Sequence, residues 1–149
     1  MRLEQQRGFT LIELVVAMSI AALLAAIAIP AYSSYTLRSH RTEAKTVLAD
    51  LAAMEERFYS TSNTYTTDPG QLGYGAVGGA FPITVGSGYY QVTQPTFTAA
   101  TATAPAYYKF TATAVGNQAK DATCASYSLD SQAVQTASPD TTPASCWQR

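Results

Sequence analysis

Side chains that could catalyse a reaction are few and scattered in this chain of 149 residues. His40 is the one histidine, and its place among the charges of a predicted helix indicates a solvated side chain. Glu55 and Glu56 are adjacent on the same helix, so their carboxylates point apart and do not share a substrate. The glycines from Gly70 to Gly88 lack the lysine and the following helix of a phosphate-binding loop, and no G-x-S-x-G motif occurs. The pattern argues against an enzyme and predicts no cofactor.

The two cysteines, Cys124 and Cys146, form no CxxC motif and have no histidine nearby. A zinc site would therefore lack ligands. A disulfide is favoured over two buried free thiols, and it would require an oxidising compartment. Closing a loop of this size would contribute about 3 kcal/mol in the chain-entropy model.

Glu13 stands out because it interrupts an apolar run from Phe9 to Ile29 that is long enough to cross a bilayer. A charge inside such a segment costs about 2.5 to 3.5 kcal/mol on insertion scales. Cleavage between Gly8 and Phe9 would create an amino group on the same helix face as Glu13, within one chain or between neighbours. A carboxylate in the first turn also interacts favourably with the helix dipole. The alternative is a carboxylate that reaches the membrane interface or is protonated.

Composition restricts the partners. The formal net charge is −1, so there is no basic surplus to neutralise phosphates and nucleic acid is not the expected partner. Ala, Thr, Ser, Gly and Tyr dominate the second half, where charged residues become rare. This composition is typical of an exported, strand-rich domain.

The apolar segment is expected to stay in the mature protein as an anchor. The short polar leader MRLEQQRG precedes it, and no clear small-residue cleavage motif with a loop follows it. We therefore expect a leader at 1–8, a membrane helix at 9–32 and a globular domain at 33–149. Small residues recur at every fourth position, which allows close helix packing in lipid but is also common in ordinary helices: Ala17, Ala21 and Ala25, and likewise Ala22 and Ala26.

The flanks of this segment bear on its orientation. Tyr32 and Tyr35 lie where aromatic residues anchor at a membrane interface. Basic residues occur on both sides of the segment and do not decide which end is cytoplasmic. A disulfide would place the C-terminal domain outside the cytoplasm.

Beyond the segment, the helix is predicted to continue to about Ser60, where the turn-rich stretch STSNTYTTDPG ends it. Pro30 leaves the carbonyl of Ala26 without its helical donor, so we expect a kink or local melting there. Apolar residues then recur at three- and four-residue steps, as in an amphipathic helix: Ala44, Val47, Leu48, Leu51, Met54 and Phe58. Charged residues occupy other faces: Arg41, Glu43, Lys45, Asp50, Glu56 and Arg57.

The rest of the chain predicts a sheet. Residues 70–88 are expected to form a loop, whereas GYYQVTQ, AYYKFTATAV and CASYSLDS alternate as β-strands do. The apolar positions fall on one face of the first strand and on another face of the second: Tyr90 and Val92, then Tyr108, Phe110, Ala112 and Ala114. A fourth strand is expected near 133–136, and TFTAATATAP is either a loop or a strand extension. The prediction is an α+β fold in which an antiparallel sheet of three to four strands covers the helix stripe.

The stretch RGFTLIELVVAMSIAALLAAIAIPAY closely resembles the N-terminus of type IV prepilins. The motif fits at every position from Gly8 to Glu13, and Pro30 falls where pilins carry a helix-melting proline. The resemblance implies that a prepilin peptidase cuts after Gly8 and methylates Phe9. It also implies that Glu13 neutralises the amino group of an adjacent subunit during assembly. Many pilins have glycine where this sequence has Ala22.

RTEAKTVLADLAAMEERFYSTSNTYT, the late cysteines and SCW resemble PilE-like minor pilins, which implies the type IV pilin fold with a C-terminal loop bounded by a Cys124–Cys146 disulfide. The implied function is a structural subunit of a type IV pilus, for assembly and for twitching motility or adhesion. The implied partners are major and minor pilin subunits, prepilin peptidase, the inner-membrane assembly platform and, before assembly, the lipid bilayer. The implied location is the inner membrane with a periplasmic C-terminal domain, then the pilus, whose core the residue 9–32 helix would form.

Two alternatives remain open. A pseudopilin of type II secretion shares this N-terminus, although the cysteine-bounded loop favours a pilus. A competence pilin that binds DNA would need a basic stripe, and the sheet domain offers only Lys109, Lys120 and Arg149.

Overall fold

The computed structural model describes residues 9–139 and 143–148. The chain divides into an N-terminal unit that ends at Thr36 and a C-terminal unit that begins at Leu37. Gly8, the predicted cleavage position, and Arg149 lie outside the described residues. The leader and the boundary expected after residue 32 stay predictions.

The long helix, α1, runs from Leu11 to Ser62, and Thr10 fixes its start. The amide of Glu13 donates to Thr10 Oγ1 at 3.3 Å, and the amide of Leu14 donates to the Thr10 carbonyl at 3.2 Å. A threonine at this position gives an acceptor to an amide that has no partner within the helix. The residue types around Thr10 therefore define where the helix begins.

The other end of α1 lies where the sequence predicts it, within two residues of Ser60. Asn63 follows with φ of 54°, and its amide donates to the Tyr59 carbonyl at 2.8 Å. Asparagine adopts this left-handed conformation more readily than most residues, which makes it a common helix terminator.

Pro30 lies inside α1, and the helix is continuous through it. The local melting expected at Pro30 is therefore not seen, and the kink stays a prediction. Proline costs the helix one hydrogen bond at the Ala26 carbonyl, but its own φ is fixed near the helical value. The following turn is intact, and Ser34 Oγ donates to the Pro30 carbonyl at 3.0 Å.

The C-terminal unit contains a six-stranded antiparallel sheet in the order β1-β2-β4-β5-β6, with β3 paired to β4. The strands are β1 Ile83–Val85, β2 Tyr90–Val92, β3 Thr96–Thr98, β4 Tyr107–Ala114, β5 Cys124–Asp130 and β6 Gln135–Pro139. A 3-10 helix, Gly116–Lys120, joins β4 to β5, and a short helix, α2, spans Pro143–Cys146.

The predicted strands are confirmed at β2, β4 and β5, and the fourth strand is β6, slightly later than expected. The stretch 70–88, expected to be loop throughout, contains β1, and TFTAATATAP begins with β3. Both additional strands have three residues and pair with a neighbour that the sequence does predict. Strands this short carry too little alternation to be recognised from sequence.

The core of the C-terminal unit lies between the α1 stripe and one face of the sheet. Ala44, Leu48 and Leu51 are completely buried, and each buried leucine contributes about 1.5 to 3 kcal/mol. Tyr90 lies opposite Ala114 and Val92 opposite Ala112, so the apolar positions of β2 and β4 share one buried face. The expectation that they occupy different faces was wrong, because strand register sets which side chains share a face.

Candidate functional site

The first turn of α1 has the sequence of a capping box, with threonine at the N-cap and glutamate three residues later, and the hydrogen bond from the Glu13 amide to Thr10 Oγ1 is formed. Glu13 is exposed and lies among amides that have no helical acceptor, where a negative charge is worth about 0.3 to 1 kcal/mol. Phe9, which precedes the helix, is 85% exposed. The pairing of Glu13 with an amine at Phe9 stays a prediction.

The part of α1 that follows is apolar and uncovered. Its large side chains are all exposed in the N-terminal unit: Leu11, Ile12, Leu14, Val15, Val16, Met18, Ile20, Leu23, Leu24, Ile27 and Ile29. By length and composition α1 is able to cross a membrane. A helix that is apolar on all sides is stable only when lipid or protein surrounds it.

Cys124 and Cys146 form a disulfide with an S–S length of 2.03 Å, as predicted. It ties the first residue of β5 to the last residue of α2. Trp147 adds to this closure, because its Nε1 donates to the Thr136 carbonyl at 2.9 Å and its ring meets Tyr127 edge to face. The C-terminal region is thus held to β5 and β6 by one covalent bond and one indole.

Arg41 and Asp121 form a buried ion pair across 80 residues of sequence. Arg41 Nε donates to Asp121 Oδ2 at 2.7 Å and Nη2 donates to Oδ1 at 2.8 Å. The amides of Thr123 and Cys124 also donate to Asp121 Oδ1, both at 3.3 Å. The expectation that Arg41 lies on a face other than the apolar stripe was wrong, because this carboxylate compensates its burial.

Gln118 connects this pair to its surroundings and is completely buried. Its Nε2 donates to the Leu37 carbonyl at 2.9 Å and to the Tyr90 hydroxyl at 3.1 Å. The hydrogen bonds attach the 3-10 helix to the start of the C-terminal unit. The pKa of Tyr90 is raised to about 12, and burial is the largest cause.

His40 is half-buried, and the expectation of a solvated histidine was wrong. Its ring stacks on Tyr89 with centroids 3.5 Å apart, and its Nδ1 lies 2.9 Å from Gln118 Oε1. These partners come from the sheet and from the 3-10 helix, so the neighbours of His40 in sequence do not reveal them.

Lys45 is the next basic residue along this face of α1. Its Nζ donates to the Trp147 carbonyl at 3.3 Å and to the Cys146 carbonyl at 3.5 Å. Burial, and then the positive charge of Arg41, lower the pKa of Lys45. The positive charges of Arg41 and Lys45, which lie one turn apart on α1, therefore act on each other.

Glu55 is completely buried, while Glu56 is exposed, so the two carboxylates point apart as predicted. Glu55 Oε2 accepts from the Thr66 amide at 3.1 Å, and Oε1 has no hydrogen-bond partner within the described residues. Burial raises the pKa of Glu55 to about 7, although the hydrogen bond from the Thr66 amide acts in the opposite direction and lowers it.

Sequence reasoning missed the burial of Arg41 and Glu55, although a signal for both exists. The two residues extend the buried stripe at steps of three and four: Arg41, Ala44, Leu48, Leu51 and Glu55. Arg41 was predicted to lie on a face other than the apolar stripe, and Glu55 was assigned to neither face. The spacing, taken without regard to residue type, would have placed both on the buried face.

Within residues 9–139 and 143–148, no group of three or more His, Cys, Asp or Glu side chains is placed to hold a metal ion. The features described above suit association of the chain with lipid or with other protein chains. An exposed apolar helix carries a carboxylate in its first turn, and a cross-linked sheet domain follows it.

Comparison with known proteins gives two family matches. Residues 4–29 match the prokaryotic N-terminal methylation motif. Residues 30–128 match the family described as type IV minor pilin ComP, DNA uptake sequence receptor.

Individual relatives are similar over part of the chain. The type IV major pilin protein PilA of Myxococcus xanthus is 40% identical over 70 residues, which is 47% of this chain and 32% of that protein. The fimbrial protein EcpC of Eikenella corrodens is 38% identical over 71 residues, 48% of this chain and 46% of that protein. The type IV major pilin protein PilE1 of Neisseria gonorrhoeae is 54% identical over 39 residues, 26% of this chain and 24% of that protein. The chain thus spans less than half the length of each of these relatives.

Proposed function

The chain belongs to the type IV minor pilins, and we propose that it is a structural subunit of a type IV pilus. The observation that carries the proposal is the methylation motif at residues 4–29, which leads into an exposed apolar helix with Glu13 in its first turn. An apolar helix that contacts different patches on successive neighbours makes an interface that does not close, and such interfaces generate helical filaments.

The proposal includes processing and location. Cleavage follows Gly8, Phe9 becomes the methylated N-terminal residue, and the residue 9–32 helix first lies in the inner membrane with the remaining chain in the periplasm. Prepilin peptidase, an inner-membrane assembly platform and other pilin subunits are the partners. On assembly the helix exchanges lipid for neighbouring helices and the pilus reaches the cell surface, where it serves motility or adhesion. The Cys124–Cys146 disulfide suits this oxidising location.

The relatives favour a pilus over the secretion alternative. Those described above carry the names pilin or fimbrial protein. The cysteine-bounded region supports the same choice, because pseudopilins often lack it. The pilus is therefore the first candidate and the type II secretion pseudopilin the alternative.

The test separates the charge of Glu13 from its capping role. Glu13→Gln keeps a residue that suits a capping box but removes the charge, whereas Thr10→Ala removes the cap and keeps the charge. If the carboxylate neutralises an amine, Glu13→Gln is processed normally but enters sheared pili at no more than a tenth of the wild-type amount. Mass spectrometry of sheared pili and of membranes measures incorporation, cleavage after Gly8 and methylation of Phe9.

The Thr10→Ala variant is the matched control, and it should be processed and incorporated at close to the wild-type amount. Defects in Thr10→Ala and Glu13→Ala, together with normal incorporation of Glu13→Gln, would instead assign Glu13 to helix capping. Wild-type incorporation of Glu13→Gln would refute the role of its charge in assembly.

DNA binding is the second candidate, and the family match over residues 30–128 favours it. The sheet domain offers little positive charge for this purpose within the described residues. Lys109 lies opposite Asp130 in the β4–β5 register, so its charge is partly balanced. Lys120 is exposed at the end of the 3-10 helix, and Asn117 of the same helix is exposed as well. Lys120 is therefore the better candidate for a phosphate contact.

A binding assay decides this candidate. The full chain in a non-ionic detergent is titrated into a short labelled DNA duplex at several salt concentrations, and fluorescence anisotropy gives the affinity. If Lys120 contacts a phosphate, Lys120→Gln reduces the slope of log affinity against log salt by about 1, while Arg57→Gln leaves it unchanged. The absence of binding at 50 mM salt would remove DNA as a ligand without touching the pilus proposal.

A further inference from the structure

A cavity of about 240 Å³ in the C-terminal unit, which we call the arginine cavity, is not used by the proposed function. Its lining is basic and hydroxylic: Arg38, Arg41, Thr42, Thr123 and Ser145. Thr123 and Ser145 each precede a cysteine of the Cys124–Cys146 disulfide in sequence. The covalent bond therefore fixes two parts of the wall relative to each other.

Among the described residues, the side chains that line the cavity carry a positive surplus. Arg38 and Arg41 lie three residues apart, on one face of α1. Asp121 balances Arg41 in a bidentate pair. The carboxylate of Glu43, on the same stretch of helix, accepts hydrogen bonds from the amide and the hydroxyl of Ser87, both at 2.9 Å.

Arg38 is exposed and makes no ion pair or hydrogen bond to any residue that the structure describes. The positive charge of Arg38 thus has no carboxylate partner within the described residues.

The donors of Arg41 are only partly used. Asp121 occupies two of its five N–H groups and fixes the plane of the guanidinium, and the other three have no acceptor within the described residues. Arg41 is nevertheless 9% exposed and lines the cavity. A buried guanidinium with free donors is matched best by an oxyanion, above all by phosphate.

We propose that the arginine cavity binds a phosphate group, with Arg41 and Arg38 as the cationic ligands and the Thr42 and Thr123 hydroxyls as further donors. The volume suffices, because a water molecule takes about 30 Å³ and a tetrahedral oxyanion replaces only a few waters. The phosphate is that of an anionic lipid headgroup or a free phosphate ion. A lipid source suits the sequence position of the cavity, because Arg38 follows the apolar segment by only nine residues.

The experiment uses the full chain and two probes. In the first arm, native mass spectrometry records the lipids that remain bound after release from nanodiscs of equal parts phosphatidylcholine and phosphatidylglycerol. In the second arm, ³¹P line broadening of inorganic phosphate is followed in a phosphate-free sugar detergent. Arg38→Gln should lower the retained phosphatidylglycerol or the phosphate affinity about fivefold, which corresponds to the contribution of one basic residue near a phosphate.

Arg57→Gln is the matched control, because it removes the same charge from an exposed position on the same helix that does not line the cavity. Arg38 is chosen for substitution over Arg41 because its removal leaves no buried carboxylate unpaired, and near-ultraviolet circular dichroism of Trp147 checks the fold.

The outcomes separate the sources. Loss of phosphatidylglycerol retention in Arg38→Gln alone supports a lipid phosphate, and loss of phosphate broadening without lipid selectivity supports a free ion. Equal behaviour of wild type and Arg38→Gln in both arms overturns the proposal. DNA binding that falls in Arg38→Gln while both phosphate probes stay unchanged also overturns it, and would count for the DNA candidate.

Discussion

Glu55 gives the sharpest prediction about stability, because its carboxyl is completely buried and has one oxygen without a partner in the described residues. Burial raises its pKa from the ordinary value of 4.5 to about 7. The folded chain therefore holds a proton that the unfolded chain has released, and the free energy of unfolding falls as the pH rises from 4.5 to about 7. Each pH unit in this window is worth about 1.4 kcal/mol, so the total loss is about 3 kcal/mol.

Replacement of Glu55 by Gln removes the titration and keeps an acceptor for the Thr66 amide. The full chain in detergent is unfolded with urea at several pH values between 4 and 8.5, with Trp147, the one tryptophan, as the fluorescent reporter. The stability of wild type relative to Glu55→Gln should decline by about 3 kcal/mol between pH 4.5 and pH 7 and level off above it. Titration of other groups is common to both chains and cancels in the difference.

Glu56→Gln is the control, because Glu56 is the exposed neighbour and acts on Glu55 only as a nearby negative charge. Its difference from wild type should vary by less than about 1 kcal/mol over the same range. A wild-type minus Glu55→Gln difference that stays constant with pH would refute the argument. It would mean that Glu55 is ionised in the folded chain and has a partner for Oε1.

Two further predictions concern the C-terminal unit. Asp121→Asn should lower the free energy of unfolding by about 3 to 5 kcal/mol, because it leaves the Arg41 charge buried without its partner. Urea unfolding measures this loss. Recovery of stability when Asp121→Asn is combined with Arg41→Met would show that the unpaired charge causes the loss. Replacement of Cys124 and Cys146 by serine should cost about 3 kcal/mol, as expected for a loop with a sequence separation of 22. A change below about 1 kcal/mol in the same assay, with the fold retained, would show that Trp147 and its neighbours close this region without the covalent bond.

The buried charges show where a sequence-based assignment fails. Charged residues are seldom buried without a partner. Arg41 was therefore predicted to lie off the apolar stripe, and Glu55 was not predicted to lie on it. The partner of Arg41 is Asp121, 80 residues later, and the Thr66 amide that meets Glu55 belongs to the loop after α1. Neither partner is near in sequence, so only the packed structure could supply it.

The prediction missed the two short strands for a related reason. β1 and β3 have three residues each and exist because β2 and β4 offer them an edge. The shared face of β2 and β4 likewise follows from their register. Register depends on pairing between strands and leaves no trace in the alternation within one strand.

The sequence by itself determined the features that depend on neighbouring residues. Thr10 and Glu13 define the first turn, the apolar run defines a helix that needs lipid or protein around it, and STSNTYTTDPG ends that helix. The cysteine pair, without other ligands nearby, already favoured the disulfide. The tertiary structure alone decided which charges are buried, that His40 stacks on Tyr89, and that two arginines and three hydroxylic side chains line one cavity. Periodicity and capping act within a few residues along the chain, whereas burial and charge pairing depend on groups that meet only after the sheet has packed against α1.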